Sequence, residues 1–153
     1  MGAGATVEDV RIADDDGAAV GIAIDGAGRH TVRGVMFDQL AVGVAGGCLD
    51  GPTCVANLDV RRALFLNCEA AGIDADERTL LTADHLSFRT LPLGARITRP
   101  RSRLTNSVFD LEEGDVGIDQ RAARRRTERG RRAPQRVRPA RHALRRLGCS
   151  GRR

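Results

Sequence analysis

The chain has 153 residues, enough for one domain with a modest core. Aromatics make up 3%, with four Phe and no Trp or Tyr, which argues against a compact globular core and for a repeat stack filled with Val, Ile, Leu and Ala. The net charge of +5 divides sharply: residues 1–120 carry 11 Arg against 19 acidic residues, whereas residues 121–153 carry 14 Arg against one Glu, so the two stretches belong to different physical classes.

In chain order, the first elements are Val7, Val10 and Ile12, followed by Val20-Gly21-Ile22. The same two blocks return as Val32/Val35/Phe37 with Val42-Gly43-Val44, as Val60/Ala63/Phe65 with Ala71-Gly72-Ile73, as Ala83/Leu86/Phe88 with Leu93-Gly94-Ala95, and as Leu104/Ser107/Phe109 with Val116-Gly117-Ile118. The Phe column, with Ile at its first rung, falls at 12, 37, 65, 88 and 109, intervals of 25, 28, 23 and 21 residues. Residues i and i+2 of a strand share a face, so Val35 and Phe37 both point inward. The three-residue step from Val32 to Val35 breaks that alternation and predicts a bend between two short strands. Glycine in each second block fits a positive φ or a close backbone approach, as a corner demands.

The predicted fold is all-β: a right-handed parallel β-helix, or solenoid, of about five coils over residues 1–120. Successive coils lie about 4.8 Å apart. Outward positions support the register. Asp14, Gln39, Asn67 and Thr90 form a polar ladder that fails at Leu111. Asp74, Arg96 and Asp119 occupy one column with alternating charge, and Glu8/Arg33 and Arg61/Asp84 become neighbours.

The V-x-x-V-x-F and x-G-[IV] blocks resemble the parallel β-helix repeat of the pectate-lyase-like superfamily, over roughly residues 7–120. That resemblance implies a secreted or surface protein that binds or processes polysaccharide, as a lyase or glycoside hydrolase if it is an enzyme. The fold carries many functions, so the activity does not follow from it. The rival architecture is a pentapeptide-repeat helix, because Leu58, Ala63, Cys68 and Ile73 are five apart. Arg78 then falls in its central column, and the register does not extend through residues 7–50.

Asp14, Asp15 and Asp16 are the candidate catalytic or calcium-binding carboxylates, since β-helix glycosidases pair carboxylates and lyases hold calcium with Asp clusters. The simpler reading is a solvated turn leading into Gly17. The NTD, GHG and RIK motifs of polygalacturonase-like enzymes do not occur. The second coil is about six residues longer at its join to the third, the extra length falling in the stretch Gly46 to Cys54, and solenoid insertions form loops on one face. Cys48 and Cys54 would close it as a disulfide in an exported protein, the equal alternative being an ordinary surface loop with two unrelated thiols. Cys68, next to Asn67, reads as a buried structural thiol, and His30, His85 and His142 as surface or turn residues. No cofactor other than calcium is indicated.

The tail from Arg121 has almost no apolar content, which predicts disorder, with Ala140–Leu147 able to form a short helix. Functionally it reads as a tether for nucleic acid or another polyanion through counterion release. The abrupt change of composition also fits a tail translated out of frame from GC-rich DNA, as does the use of Arg at all 25 basic positions. The coils then read as a piece of a longer helix. No apolar run reaches the roughly 20 residues of a membrane span, and no signal peptide is visible at the N-terminus. Open ends of such a stack predict edge-to-edge self-association. A non-enzymatic adhesion or scaffold module is the alternative reading.

Overall fold

The computed structural model describes residues 4–51 and 53–120, and everything expected of residues 121–153 lies outside the described residues. Fifteen short strands form five coils of three strands each. Coil one holds β1 (Thr6–Glu8), β2 (Arg11–Ala13) and β3 (Val20–Ile24), and coil two β4 (Gly28–Arg33), β5 (Met36–Asp38) and β6 (Val42–Gly46). Coil three holds β7 (Ala56–Arg61), β8 (Leu64–Leu66) and β9 (Ala71–Ala75). Coil four holds β10 (Thr79–Asp84), β11 (Ser87–Arg89) and β12 (Leu93–Ile97), and coil five β13 (Arg103–Thr105), β14 (Val108–Asp110) and β15 (Val116–Gln120). Every strand pairs in parallel with its counterpart one coil away, giving three five-stranded sheets: β1-β4-β7-β10-β13, β2-β5-β8-β11-β14 and β3-β6-β9-β12-β15. The described residues are therefore an all-β parallel solenoid of five coils.

The columns read from the sequence are the columns of the register. Val7, Val32, Val60, Ala83 and Leu104 align through the first sheet. Ile12, Phe37, Phe65, Phe88 and Phe109 align through the second, and Ile22, Val44, Ile73, Ala95 and Ile118 through the third. All three columns face the interior, where the middle coils are fully buried. The centroids of successive Phe rings lie 4.9, 4.9 and 4.7 Å apart, and the rings stack nearly parallel to one another. That spacing is set by the strand separation, because each ring rides on its own strand. A further buried column, Leu40, Cys68 and Leu91, lines the corner between the second and third sheets.

The corners explain how so short a strand can end without orphaned backbone. Asp9, Gly34, Arg62, His85 and Asn106 stand between the first and second sheets of successive coils, all at positive φ. Gln39, Asn67 and Thr90, three rungs of the polar ladder, take the same conformation at the next corner. In both columns the corner amide donates to a carbonyl of the next coil, as in Arg62 N to Asp84 O (3.1 Å) and Asn67 N to Arg89 O (3.1 Å). Hydrogen bonding between coils thus continues around the bend.

The repeated glycines serve a purpose other than a corner. Gly21, Gly43, Gly72 and Gly94 lie within strands of the third sheet and do not have positive φ. A Cβ on each would meet the carbonyl oxygen of the glycine one coil on at 2.5–2.8 Å, and a ring carbon of that coil's Phe at 2.5–2.9 Å. Close approach of backbone and ring, not turning, requires glycine there.

Leu58, Ala63, Cys68 and Ile73 do all face the core, but they belong to different strands and corners of a single three-sheet coil. A pentapeptide-repeat helix is therefore excluded for the described residues. Of the predicted charge neighbours, Arg96 bonds Asp74 (2.8 Å) and approaches Asp119 (4.0 Å). Glu8 and Arg33, and Arg61 and Asp84, are register partners, yet Arg61 turns instead to Asp59.

Candidate functional site

The first sheet turns alternate side chains outward: Arg29, Thr31 and Arg33 from β4, Asn57, Asp59 and Arg61 from β7, and Thr82 and Asp84 from β10. Register sets Asp59 between Thr31 and Thr82, with Arg29 beside Asn57 and Arg33 beside Arg61. Arg61 donates to Asp59 through Nε (2.8 Å) and Nη2 (3.0 Å), and Arg29 adds Nη2 at 3.1 Å. The two guanidinium groups cover Asp59 while remaining exposed themselves. Burial pushes the Asp59 carboxyl up, but the bonds from Arg61 and Arg29 outweigh it and hold the group below its usual range. The Arg61 guanidinium is correspondingly raised, chiefly by its bond to Asp59.

Around this centre lies a surface cleft of about 320 Å³, lined by Arg29, Asn57, Asp59, Arg61, Leu80 and Thr82. It presents guanidinium and amide donors, a carboxylate and a hydroxyl, with no aromatic platform. Such a set can hydrogen-bond a hydroxylated ligand and pair with a carboxylate or sulfate through its arginines. Nothing in a linear reading pointed to Asp59. The repeat register did hold the signal, because it places Asp59 one position before the Val60 column and Thr31 one before Val32.

A second polar knot sits on the second sheet. Asp38 accepts from Arg11 Nη2 (2.6 Å) and from Asn67 Nδ2 (3.0 Å), and these bonds, Arg11 first, lower its pKa. At the corner beyond β10, Asp84 accepts from Thr105 (2.7 Å), His85 (2.7 Å) and Asn106 (2.8 Å), which pull its carboxyl down to about 2.

Asp14, Asp15 and Asp16 occupy the turn between β2 and β3, ahead of Gly17 at φ +67°. Asp14 Oδ2 accepts from Ala19 N at 3.0 Å, closing the turn, while Asp15 and Asp16 are exposed. Their carboxylates form no metal-capable cluster among the described residues.

The coil-two insertion is docked at its base on both neighbouring coils: Gly47 N and Leu49 N donate to Ile24 O and Asp25 O (2.8 Å each), and Arg78 Nη1 donates to Cys48 O (2.9 Å). Cys48 and Cys54 come together there, with Cα atoms 5.7 Å apart and sulfurs in contact, the separation a disulfide requires. Asp50 lies beside them and accepts from Ala27 N at 3.1 Å. Cys68 is buried, and desolvation pushes its thiol up to about 11. His85 is exposed at its corner, whereas His30 occupies a core-facing column with Leu58 and Leu81 and contacts Gly26 O at 3.2 Å.

No helix among the described residues is long and apolar enough to cross a membrane. No family model matches the chain, and no curated protein or solved structure is significantly similar to it. What is shown is the parallel β-solenoid itself, and the expected pectate-lyase-like membership is not supported by any match.

Proposed function

We propose that the protein is a β-solenoid module that binds an acidic polysaccharide along the outer face of its first sheet. The observation that carries this reading is the cleft around Asp59, where two exposed arginines are held in place by a shared, covered carboxylate. Fixing the guanidinium groups in advance reduces the entropy lost when they bind a uronate or sulfate. The neighbouring Asn57, Thr82 and Arg33 extend the row of polar groups along and across the coils. The reading is one of binding and not turnover, because among the described residues lining the cleft the one carboxylate, Asp59, is engaged by both arginines.

A glycan array carrying uronate-rich, sulfated and neutral polysaccharides tests it, alongside a lyase and hydrolase screen of the same ligands. Binding is expected for acidic glycans, falling with added salt and weakened about tenfold by Arg29→Ala, the loss of about 1.4 kcal/mol. Silence across the array would overturn the proposal.

A scaffold or adhesion role is the second reading, favoured by the apolar surface on the two end coils.

A further inference from the structure

The exposed large apolar side chains are not scattered. Apart from Leu49 in the insertion, they are Val10 (42% exposed) and Val20 (45%) on coil one, and Val108 (63%), Val116 (47%) and Ile118 (46%) on coil five. On the inner coils, the column of Val10 is filled by Val35, Ala63 and Leu86 and that of Ile118 by Val44, Ile73 and Ala95, all buried; Val20 and Val116 stand in register with half-buried Val42 and buried Ala71 and Leu93, and Val108 with half-buried Met36, Leu64 and Ser87. Each end coil also presents one unpaired strand edge in each of the three sheets among the described residues. At the coil-one end the interior opens into a cavity of about 440 Å³, lined by Val7, Ile22, Ile24 and Val32.

Gly117 adds an independent observation. Its four counterparts must be glycine because the next coil's glycine carbonyl and Phe ring stand where a Cβ would go. Gly117 has no such coil over it among the described residues, where the nearest atoms to a Cβ are those of its own coil's Phe109, at 3.4–3.8 Å. Among the described residues, the close carbonyl and ring contacts that demand glycine at 21, 43, 72 and 94 are missing at 117. A further coil stacked on coil five would supply them.

We propose that coil one of a second copy of this chain stacks on coil five, so that copies assemble head to tail. Continuing the register by one coil places Val20-Gly21-Ile22 of the second copy over Val116-Gly117-Ile118, and Ile12 over Phe109. The two triplets match position for position. The Gly21 carbonyl then takes the place over Gly117 that the Gly43 carbonyl takes over Gly21. Only a chain with the V-x-x-V-x-F and x-G-[IV] blocks supplies such a coil, and residues 121–153 contain neither block. Because the two surfaces differ, the contact is heterologous and does not close, so assembly grows with concentration. This proposal is independent of the saccharide reading and would survive its failure.

Sedimentation of the full chain, wild type and variants, tests it. Wild type is expected to show mass rising with concentration, and electron micrographs to show rods with an axial repeat of about 24 Å, five coil spacings. Val20→Arg blocks one end and Ile118→Arg the other. Each variant alone is expected to remain monomeric, and an equimolar mixture to form heterodimers through the two intact ends. Gly117→Ala is expected to keep the wild-type melting temperature while weakening assembly at least tenfold, a combination that a purely structural role would not give. Both Arg positions are exposed, and circular dichroism confirms folding. A wild-type monomer at all concentrations would overturn the proposal. So would self-association of either Arg variant alone, or assembly that appears only when residues 121–153 are deleted.

Discussion

A Cβ on Gly43 would stand 2.7 Å from the carbonyl oxygen of Gly72 and 2.5 Å from Cδ1 of Phe65. Backbone atoms and a packed ring cannot move aside cheaply, since neighbours lock both. Gly43→Ala is therefore expected to destabilise the solenoid by about 1–3 kcal/mol, the range for overpacking a filled site. Urea denaturation followed by circular dichroism measures it. An unchanged midpoint would mean that the coils are less closely stacked than described.

Phe65 stacks between Phe37 and Phe88 and is fully buried, whereas Phe109 has a ring neighbour on one side only and is half-buried. Phe65→Ala should cost about 3–5 kcal/mol, the usual loss for removing a buried ring. Phe109→Ala should cost clearly less. Equal losses at the two positions would contradict a core centred on the middle coils.

The carboxyls of Asp38, Asp59 and Asp84 are all lowered in the folded chain, Asp84 to about 2. In the unfolded chain an Asp titrates near ~3.9. A group lowered by folding adds stability above its unfolded pKa and loses that contribution as pH falls through its folded pKa. Stability should thus hold down to about pH 5 and decline between about pH 4 and about pH 2. Asp84→Asn should make that decline shallower, as read from urea midpoints across the pH range. A flat profile below pH 4 would refute the network of bonds from Thr105, His85 and Asn106.

Cys48 and Cys54 are placed to join, and a ring this small is expected to contribute about 2 kcal/mol through loop-closure entropy. Protein denatured without reductant should show two reactive thiols in place of four. Reductant should lower the urea midpoint of the wild type and leave that of Cys54→Ser unchanged. Four thiols in air-exposed protein would show that the loop is closed by packing alone.

The fold was legible because a parallel stack writes itself in columns. Val32, Phe37 and Val44 each recur at the same place in successive coils, and the structure pairs those very positions. The role of the glycines was half legible. A repeated glycine announces that a Cβ is excluded, but not whether conformation or a neighbour excludes it. Positive φ fell instead at two corners: the polar ladder marked one of them, at Gln39, Asn67 and Thr90, whereas Asp9, Gly34, Arg62, His85 and Asn106 at the other share no side-chain type that a pattern could mark. The cleft was less legible still, since Arg29 and Asp59 lie 30 residues apart and meet only across coils. Outward side chains are chosen by what they touch outside the fold, so they carry no repeat to read.

The bend between the first and second sheets is the same two residues long in every coil, from Asp9-Val10 to Asn106-Ser107. Differences in coil length fall at the other two corners, and the coil-two insertion projects from the join between the third and first sheets. One flank of the solenoid is consequently smooth, a ribbed wall about 24 Å tall at the usual strand spacing. A long polymer could be drawn along it without meeting a protruding loop. The Asp59 cleft lies on the first sheet and reaches from Arg29 and Asn57, near the join that carries the insertion, to Arg61 beside this bend; under the proposed reading, a long ligand leaving the cleft on the Arg61 side crosses the coils unobstructed.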